Sequence, residues 1–327
     1  MDVIVAGGGL AGMAAATALA QIGLTVTLFE TKPFPGGRAT SYPIALNGEP
    51  AEEIDNCQHV LLKCCNNLLD FYERLGVADQ IEFHREFHFL EPGGQRSLWK
   101  RGLLPAPAHF TESLWRAKWL SWGEKFALAQ AMLAVLWEKD RREDLEAISM
   151  ADWLREKRQP ARVVERFWRQ VLVSAVNVEL DEMAAAWGFQ VLWLAFLSRP
   201  DTYEMGLAKI PLAKLYEGLP PNVRVQLNSP VRALCPEGLW VESNGERHSA
   251  RALVSALPSD KLAALAPQLP IEYPAFQPSS ILGIHLWFVE AVMDLPMPLC
   301  WTGRSNGFLT KAKGVICSWS LVPPTQF

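Results

Sequence analysis

MDVIVAGGGLAGMAAATALAQIGLTVTLFE, residues Met1 to Glu30, is the stretch whose reading decides the fold. Val3-Ile4-Val5-Ala6 is short, apolar and rich in β-branched residues, the pattern of a strand buried in a parallel sheet. Gly7, Gly9 and Gly12 follow at G-x-G-x-x-G spacing. An alanine- and leucine-rich run to Ile22 then predicts a helix, and Thr25 to Phe29 a second strand that ends at Glu30. Gly7 permits a tight turn out of the strand, Gly9 lets the backbone come close to a pyrophosphate, and Gly12 lets the helix pack on the strand. The helix N-terminus at Leu10, Ala11 and Gly12 presents N–H groups and a positive dipole end to phosphate.

Glu30 stands where an acid accepts hydrogen bonds from an adenosine ribose, and its charge would repel a 2′-phosphate. Strand, glycine turn, helix, strand and terminal acid together predict a Rossmann-like unit that holds a dinucleotide. Beyond it lies Pro35-Gly36-Gly37-Arg38. The glycine pair allows a second close approach of backbone to the same ligand, and Arg38 adds positive charge for its diphosphate.

This pairing of fingerprint and GGR element resembles the flavin-dependent amine oxidase and phytoene desaturase superfamily; plain nicotinamide dehydrogenases lack the second element. The resemblance implies FAD as cofactor. Further along, Asp55-Asn56-Cys57-Gln58-His59-Val60-Leu61-Leu62 is similar to the DNGQHVLL stretch of one branch, the hydroxysqualene dehydroxylases, with Cys57 in place of glycine. If that position needs a positive φ, a cysteine there is strained. Leu104-Pro105-Ala106-Pro107-Ala108-His109 is similar to the LPAPLH segment of the same branch, and Ile284-His285-Leu286-Trp287-Phe288 to its HLWF strand.

The fold class implied is α/β: a Rossmann-like, GGR-type FAD-binding domain interleaved with an α+β, largely helical substrate domain. Residues 1–78 and 205–262 are expected in the first, 79–204 and 263–327 in the second. Val231, on a strand of the second flavin segment, is implied to contact the adenine. Members of the superfamily close with an AGD-type segment that holds the flavin, and no such motif occurs up to Phe327. The implied reaction removes the allylic hydroxyl of hydroxysqualene to give squalene, with hydride from reduced flavin. Asp55 and His59 are the candidates for the acid that protonates the departing hydroxyl, against a structural role as loop cap and satisfied histidine. A carotenoid-type desaturase, an amine oxidase and an inactive FAD-binding protein remain as alternatives. The electron donor is open.

The other segments are read from their own patterns. Leu61 to Leu75 predicts an amphipathic helix stopped by Gly76, and Phe87–Leu90 with Ser97–Trp99 a hairpin across Glu91–Gly94. From Thr111 to Asp140 the pattern is helical, with Trp115, Trp119, Trp122 and Trp137 among basic residues. Residues 111–137 therefore suit either a buried helix pair or a peripheral contact with membrane lipid. The latter would serve an apolar isoprenoid substrate. Helices are also expected over Ala161–Val176 and Trp187–Leu197, and short strands from Asn222 to Pro258.

Bulk properties bound the rest. The 327 residues are 50% hydrophobic and 20% charged, enough for two cores. A net charge of −4 gives no reason to expect nucleic acid. Six cysteines without C-x-x-C or metal-ligand spacing, behind an N-terminus with Asp2 where a signal peptide is basic, fit reduced thiols in the cytoplasm and no bound metal. A place on the inner face of the plasma membrane stays compatible. The 13 tryptophans suit a large apolar ligand or a membrane interface.

Overall fold

The structure is a computed structural model that describes residues 1–45, 51–57, 59–90, 96–273, 279, 281–287, 298–300, 309–310 and 317–321. The chain divides into two compact units. One comprises Met1–His59, Cys65–Glu82 and Leu207–Pro278; the other comprises Val60–Cys64, Phe83–Gly206 and Ser279–Phe327.

The first unit is built on a parallel sheet. β1 (Val3–Ala6) is followed by α1 (Leu10–Gln21) and β2 (Val26–Phe29), and β1 pairs with β2 in parallel. All four β1 residues are buried, as the unbroken apolar run requires. Val223–Gln226 adds in parallel to the free side of β2, and Ala252–Ser255 to the free side of β1. Both are apolar enough to read as strands, but their parallel pairing across some two hundred residues of chain has no local signature. Asp2 pins the opening of the sheet: its carboxylate accepts from the Thr25 N–H (2.9 Å) and hydroxyl (2.7 Å), which hold its pKa down at about 2. An antiparallel meander, Val231–Cys235, Trp240–Ser243 and Glu246–Ser249, packs Leu234 and Val241 on Ile4 and Phe29. Its last strand lies beyond the Ser243–Glu246 turn where the sequence pattern ends the meander.

The expected helix from Leu61 is shorter. Leu61–Leu62 is a strand antiparallel to Met205–Gly206, and α2 begins only at Asn66 and runs to Arg74. Two leucines can serve a strand or a helix equally, and a pairing partner distant in sequence decides. Gly76, with φ of 72°, ends the segment as predicted.

The second unit is a helical core against a hairpin. Phe87–Leu90 and Arg96–Trp99 pair antiparallel, with Ser97 and Trp99 buried and Arg96 and Leu98 exposed. The expected turn, residues 91–95, lies outside the described residues. The helical pattern from Thr111 breaks into Thr111–Arg116 and Trp122–Glu138. The break is specified by a capping box: Ser121 Oγ accepts from the Glu124 N–H (3.4 Å), and Glu124 from the Ser121 N–H (2.7 Å). Trp119 falls in the break and is fully buried, stacking with Phe89 and Trp99. Ala161–Val176 is one helix interrupted by a π-type turn at Val164–Trp168, and the next, from Ala185, ends in a second such turn at Trp193–Leu197. Leu282–Leu286 pairs antiparallel with Cys317–Leu321, which covers the described part of two predicted strands.

His109 sits in this core with no exposed surface, its ring against Phe110, and neither ring nitrogen has a hydrogen-bond partner among the described residues. Burial disfavours the charged ring, so its pKa lies below the ordinary value of 6.5, and burial lowers that of His88 as well. The unfolded chain then binds more protons than the native one, so stability is complete above the unfolded histidine pKa and is lost as pH falls through it. Urea midpoints measured from about pH 7 to about pH 5 should decline, and His109→Phe should flatten that decline.

Candidate functional site

The fingerprint turn and the GGR element close on each other within the first unit. The ladder continues past β1 and β2: the Gly7 N–H donates to Phe29 O (2.9 Å), and the Ala256 N–H to Ala6 O (2.8 Å). Gly36 N–H then donates to Gly8 O (2.8 Å), so the GGR turn lies across the start of α1. A Cβ on Gly37 would stand 3.1 Å from Gly9 Cα. Gly36, with φ of 106°, is walled by the Ala39 carbonyl and the Tyr216 ring, at 2.7 and 2.9 Å from where a Cβ would be. Tyr216, which nothing in the sequence marks, donates to Ala39 O (2.8 Å) and so clamps this turn. Burial pushes its phenol pKa up, and neighbouring Tyr72 adds to the effect.

The three fingerprint glycines do different work. A Cβ on Gly12 would lie 1.9 Å from Gly7 O, and one on Gly7 3.0 Å from Ala256 O, so the fold itself excludes side chains there. Gly9 is different. Its backbone is ordinary, φ −72° and ψ 178°, and a Cβ would meet only Gly37 Cα at 4.0 Å. Among the described residues nothing makes glycine a steric necessity at position 9, and the backbone there stays open to a ligand.

The remaining predicted residues gather around this turn. α1 starts at Leu10 and Ala11 with no side-chain cap and no acid in its first turn, which leaves its positive end for an anion. Glu30 is buried, and its oxygens accept the Gly8 N–H (2.8 Å) and the Lys32 N–H (2.8 Å). Each carboxylate oxygen keeps a lone pair, so the pair can still receive two ribose hydroxyls. Gly8, overlooked in the sequence, is needed for this: a Cβ would lie 2.8 Å from the Glu30 side chain. Arg38 is exposed and makes no ion pair among the described residues. Val231 begins a strand two residues after Ser229, whose N–H donates to Glu30 O (2.8 Å), and packs on the core around Ile4 and Phe29.

Asp55 and His59 are occupied. β3 (Ser41–Ile44) pairs with β4 (Glu52–Asp55), and Asp55 Oδ1 accepts from Ser41 Oγ (2.6 Å) and the Leu212 N–H (3.1 Å). His59 Nε2 lies 2.8 Å from Asn56 O, and Asn56 Nδ2 donates to Arg38 O (2.8 Å). The segment is thus tied directly to the GGR turn. Cys57 has φ of 65°, the left-handed conformation that glycine adopts freely. Gln58 lies outside the described residues.

The second unit holds an apolar cavity of about 240 Å³. Pro107, Ala108, Leu114, Met132, Leu133 and Leu136 are among the residues that line it. Phe167 and Phe196 also line it, and each is delivered by one of the two π-type turns, which re-aim a helix face locally. Thr111 is the one polar residue of the lining. A cavity of roughly 150 Å³ accepts benzene, so this one has room for an apolar group larger than benzene.

Comparison with known proteins agrees with this geometry. Residues 10–326 match the family model described as flavin containing amine oxidoreductase. The 15-cis-phytoene desaturase of Synechococcus elongatus is 24% identical over 322 residues, 90% of this chain and 67% of that protein. That of Narcissus pseudonarcissus is 24% identical over 88% of this chain and 54% of that protein. The chain thus spans about half to two thirds of the length of these relatives. A solved oxidoreductase from Methanosarcina mazei superposes with a TM-score of 0.75 over 99% of this chain and 80% of its own, at 17% identity, which establishes the shared fold. The chain belongs to the flavin-containing amine oxidoreductase family, in the superfamily of the phytoene desaturases, and its cofactor is FAD. The residues present fit that group: the uncapped α1, the open Gly9 and the two-oxygen acceptor at Glu30.

Gly9→Ala should leave urea stability within about 0.5 kcal/mol of wild type yet weaken FAD binding at least about tenfold by flavin fluorescence titration. Gly12→Ala should instead cost about 3 kcal/mol or more of stability, since a backbone oxygen cannot yield. Cys57→Gly should raise stability by about 1 kcal/mol in the same urea assay.

Proposed function

We propose that this FAD-dependent oxidoreductase acts on a long apolar isoprenoid and reductively removes the allylic hydroxyl of hydroxysqualene to give squalene and water. The observation that carries the substrate class is the cavity lining, which presents carbon surface and one threonine hydroxyl, and no ionisable side chain. An amine would enter it unpaired and desolvated. The particular reaction is supported by the Asp55–Leu62, Leu104–His109 and Ile284–Trp287 segments, and by no feature of the comparisons.

The hydride is the chemistry that bound, reduced FAD would supply. This chain's residues do the rest: Glu30 and the α1 N-terminus anchor the ADP half, with Arg38 free to neutralise diphosphate charge. The departing hydroxyl must leave as water, so a proton reaches it as the hydride reaches carbon. Asp55 and His59 are the proposed source of that proton or the groups that order the water carrying it.

A second reading, desaturation of a carotenoid precursor by oxidised flavin, is favoured by the names of the curated relatives. Anaerobic single turnovers separate the two. The reduced protein should convert hydroxysqualene to squalene with reoxidation of the flavin absorbance. If it leaves hydroxysqualene intact while the oxidised protein introduces double bonds into phytoene, the desaturase reading replaces this one. Replacing Asp55 with Asn and His59 with Gln should slow the reductive turnover about a hundredfold with FAD retained.

A further inference from the structure

The Trp122–Glu138 helix is apolar on both sides. Leu128, Ala131 and Val135 are buried in the core. Opposite them Trp122, Phe126, Leu133 and Trp137 are between 61 and 73% exposed. At 3.6 residues per turn these four fall within an arc of about 60°, so they form one continuous stripe. Trp115 extends it, its ring edge-to-face with that of Trp122 at 4.8 Å. The pair is held in place: Lys125 Nζ donates to Trp115 O (2.6 Å) and stands 4.5 Å from the Trp122 ring. Leu103 and Leu104 are exposed as well, in the loop that supplies Pro107 and Ala108 to the cavity. A water-facing surface of this kind calls for a covering partner.

Charge and position identify the partner. The acids between Thr111 and Asp140 are engaged: Glu112 with Arg116, Glu138 with Lys157, Asp140 with Lys139, and Glu124 in the Ser121 cap; exposed Glu143 lies just beyond them. Arg101, Lys118 and Arg141 have no acidic partner among the described residues, and the Arg141 guanidinium lies 4.1 Å over the Trp137 ring. An apolar stripe bearing tryptophan near both ends and flanked by unpaired cations is complementary to an anionic lipid surface. A second copy would bring the same unpaired cations to both sides of the seam and seal the cavity, whose rim includes exposed Leu133. Among the described residues no helix is long and apolar enough to cross a membrane, so the contact lies in the interfacial plane.

We infer that the outward face of the Trp122–Glu138 helix, with Trp115 and the Leu103–Leu104 loop, rests in an anionic bilayer surface, and that the apolar cavity opens into the acyl region. The surface stands on its own observations; only its use as the route for an isoprenoid rests on the proposed function.

Flotation of the full chain with substrate-free vesicles tests it. Vesicles of phosphatidylglycerol and phosphatidylcholine should carry the protein, phosphatidylcholine alone less so, and added salt should weaken the first. The double variant Phe126→Glu, Trp137→Glu should bind at least about tenfold more weakly, and Lys118→Glu with Arg141→Glu roughly tenfold more weakly to the anionic vesicles only. Both should turn over detergent-dispersed substrate like wild type, which shows that they fold. Wild type that floats with neither vesicle, or binding unmoved by Phe126→Glu with Trp137→Glu, overturns the inference. So does concentration-dependent self-association that this variant abolishes while vesicles capture nothing, which makes the face a contact between copies. Vesicle binding without conversion of hydroxysqualene upholds the surface and removes the functional reading; conversion without binding does the reverse.

Discussion

α1 can start where it does because position 12 has no side chain. The Gly7 carbonyl occupies the space a Cβ would take, at 1.9 Å, and this contact fixes the distance between helix and strand. From that distance follow the direction of the helix axis, the placing of its uncapped end, and the bed of backbone at Gly8 and Gly9. Glu30 reaches back to the Gly8 N–H from the end of the neighbouring strand, so the acid and the glycine turn are tied into one object. A site of this kind is preorganised: binding needs no further ordering of its own backbone.

Around that object the glycines sort by what they make room for. Those at 7 and 12 make room for protein, and the one at 9 for something else. The GGR turn lies over the same opening, clamped by Tyr216 through the Ala39 carbonyl. Asn56 extends the clamp to the Asp55–His59 segment by bonding the Arg38 carbonyl. Asp55 and His59 therefore have structural duties in this conformation, and Cys57 between them holds a backbone shape better suited to glycine. A segment that tolerates such strain beside a ligand turn is a reasonable place for function to have constrained the chain.

In the second unit, one helix is asked to face two apolar environments. Leu128, Ala131 and Val135 are buried, Met132, Ala134 and Leu136 pack partly against the same core, and the Ser121–Glu124 capping box sets where the helix begins. Trp122, Phe126, Leu133 and Trp137 face outward and are exposed. Tryptophans follow the same division: Trp119, Trp153 and Trp168 are completely buried and build the core, whereas Trp115, Trp122 and Trp137 look outward.

What the sequence by itself determined is whatever depends on local chemistry. The glycine spacing, the two flanking strands, the terminal acid and the paired glycines before Arg38 could be read in order, because turn geometry and side-chain periodicity act over a few residues. A dinucleotide-binding unit followed from them, and the flavin class from their resemblance to the amine oxidase and phytoene desaturase superfamily. Tertiary structure alone decided which distant strands, Val223–Gln226 and Ala252–Ser255, flank the first two, and that Leu61–Leu62 pairs as a strand. It also decided which face of each aromatic stretch is covered and how two π-type turns bring Phe167 and Phe196 to one cavity. The physical reason is the same in each case: a strand's partner, a helix face's burial and a cavity's walls are properties of surfaces that meet only when the chain has folded.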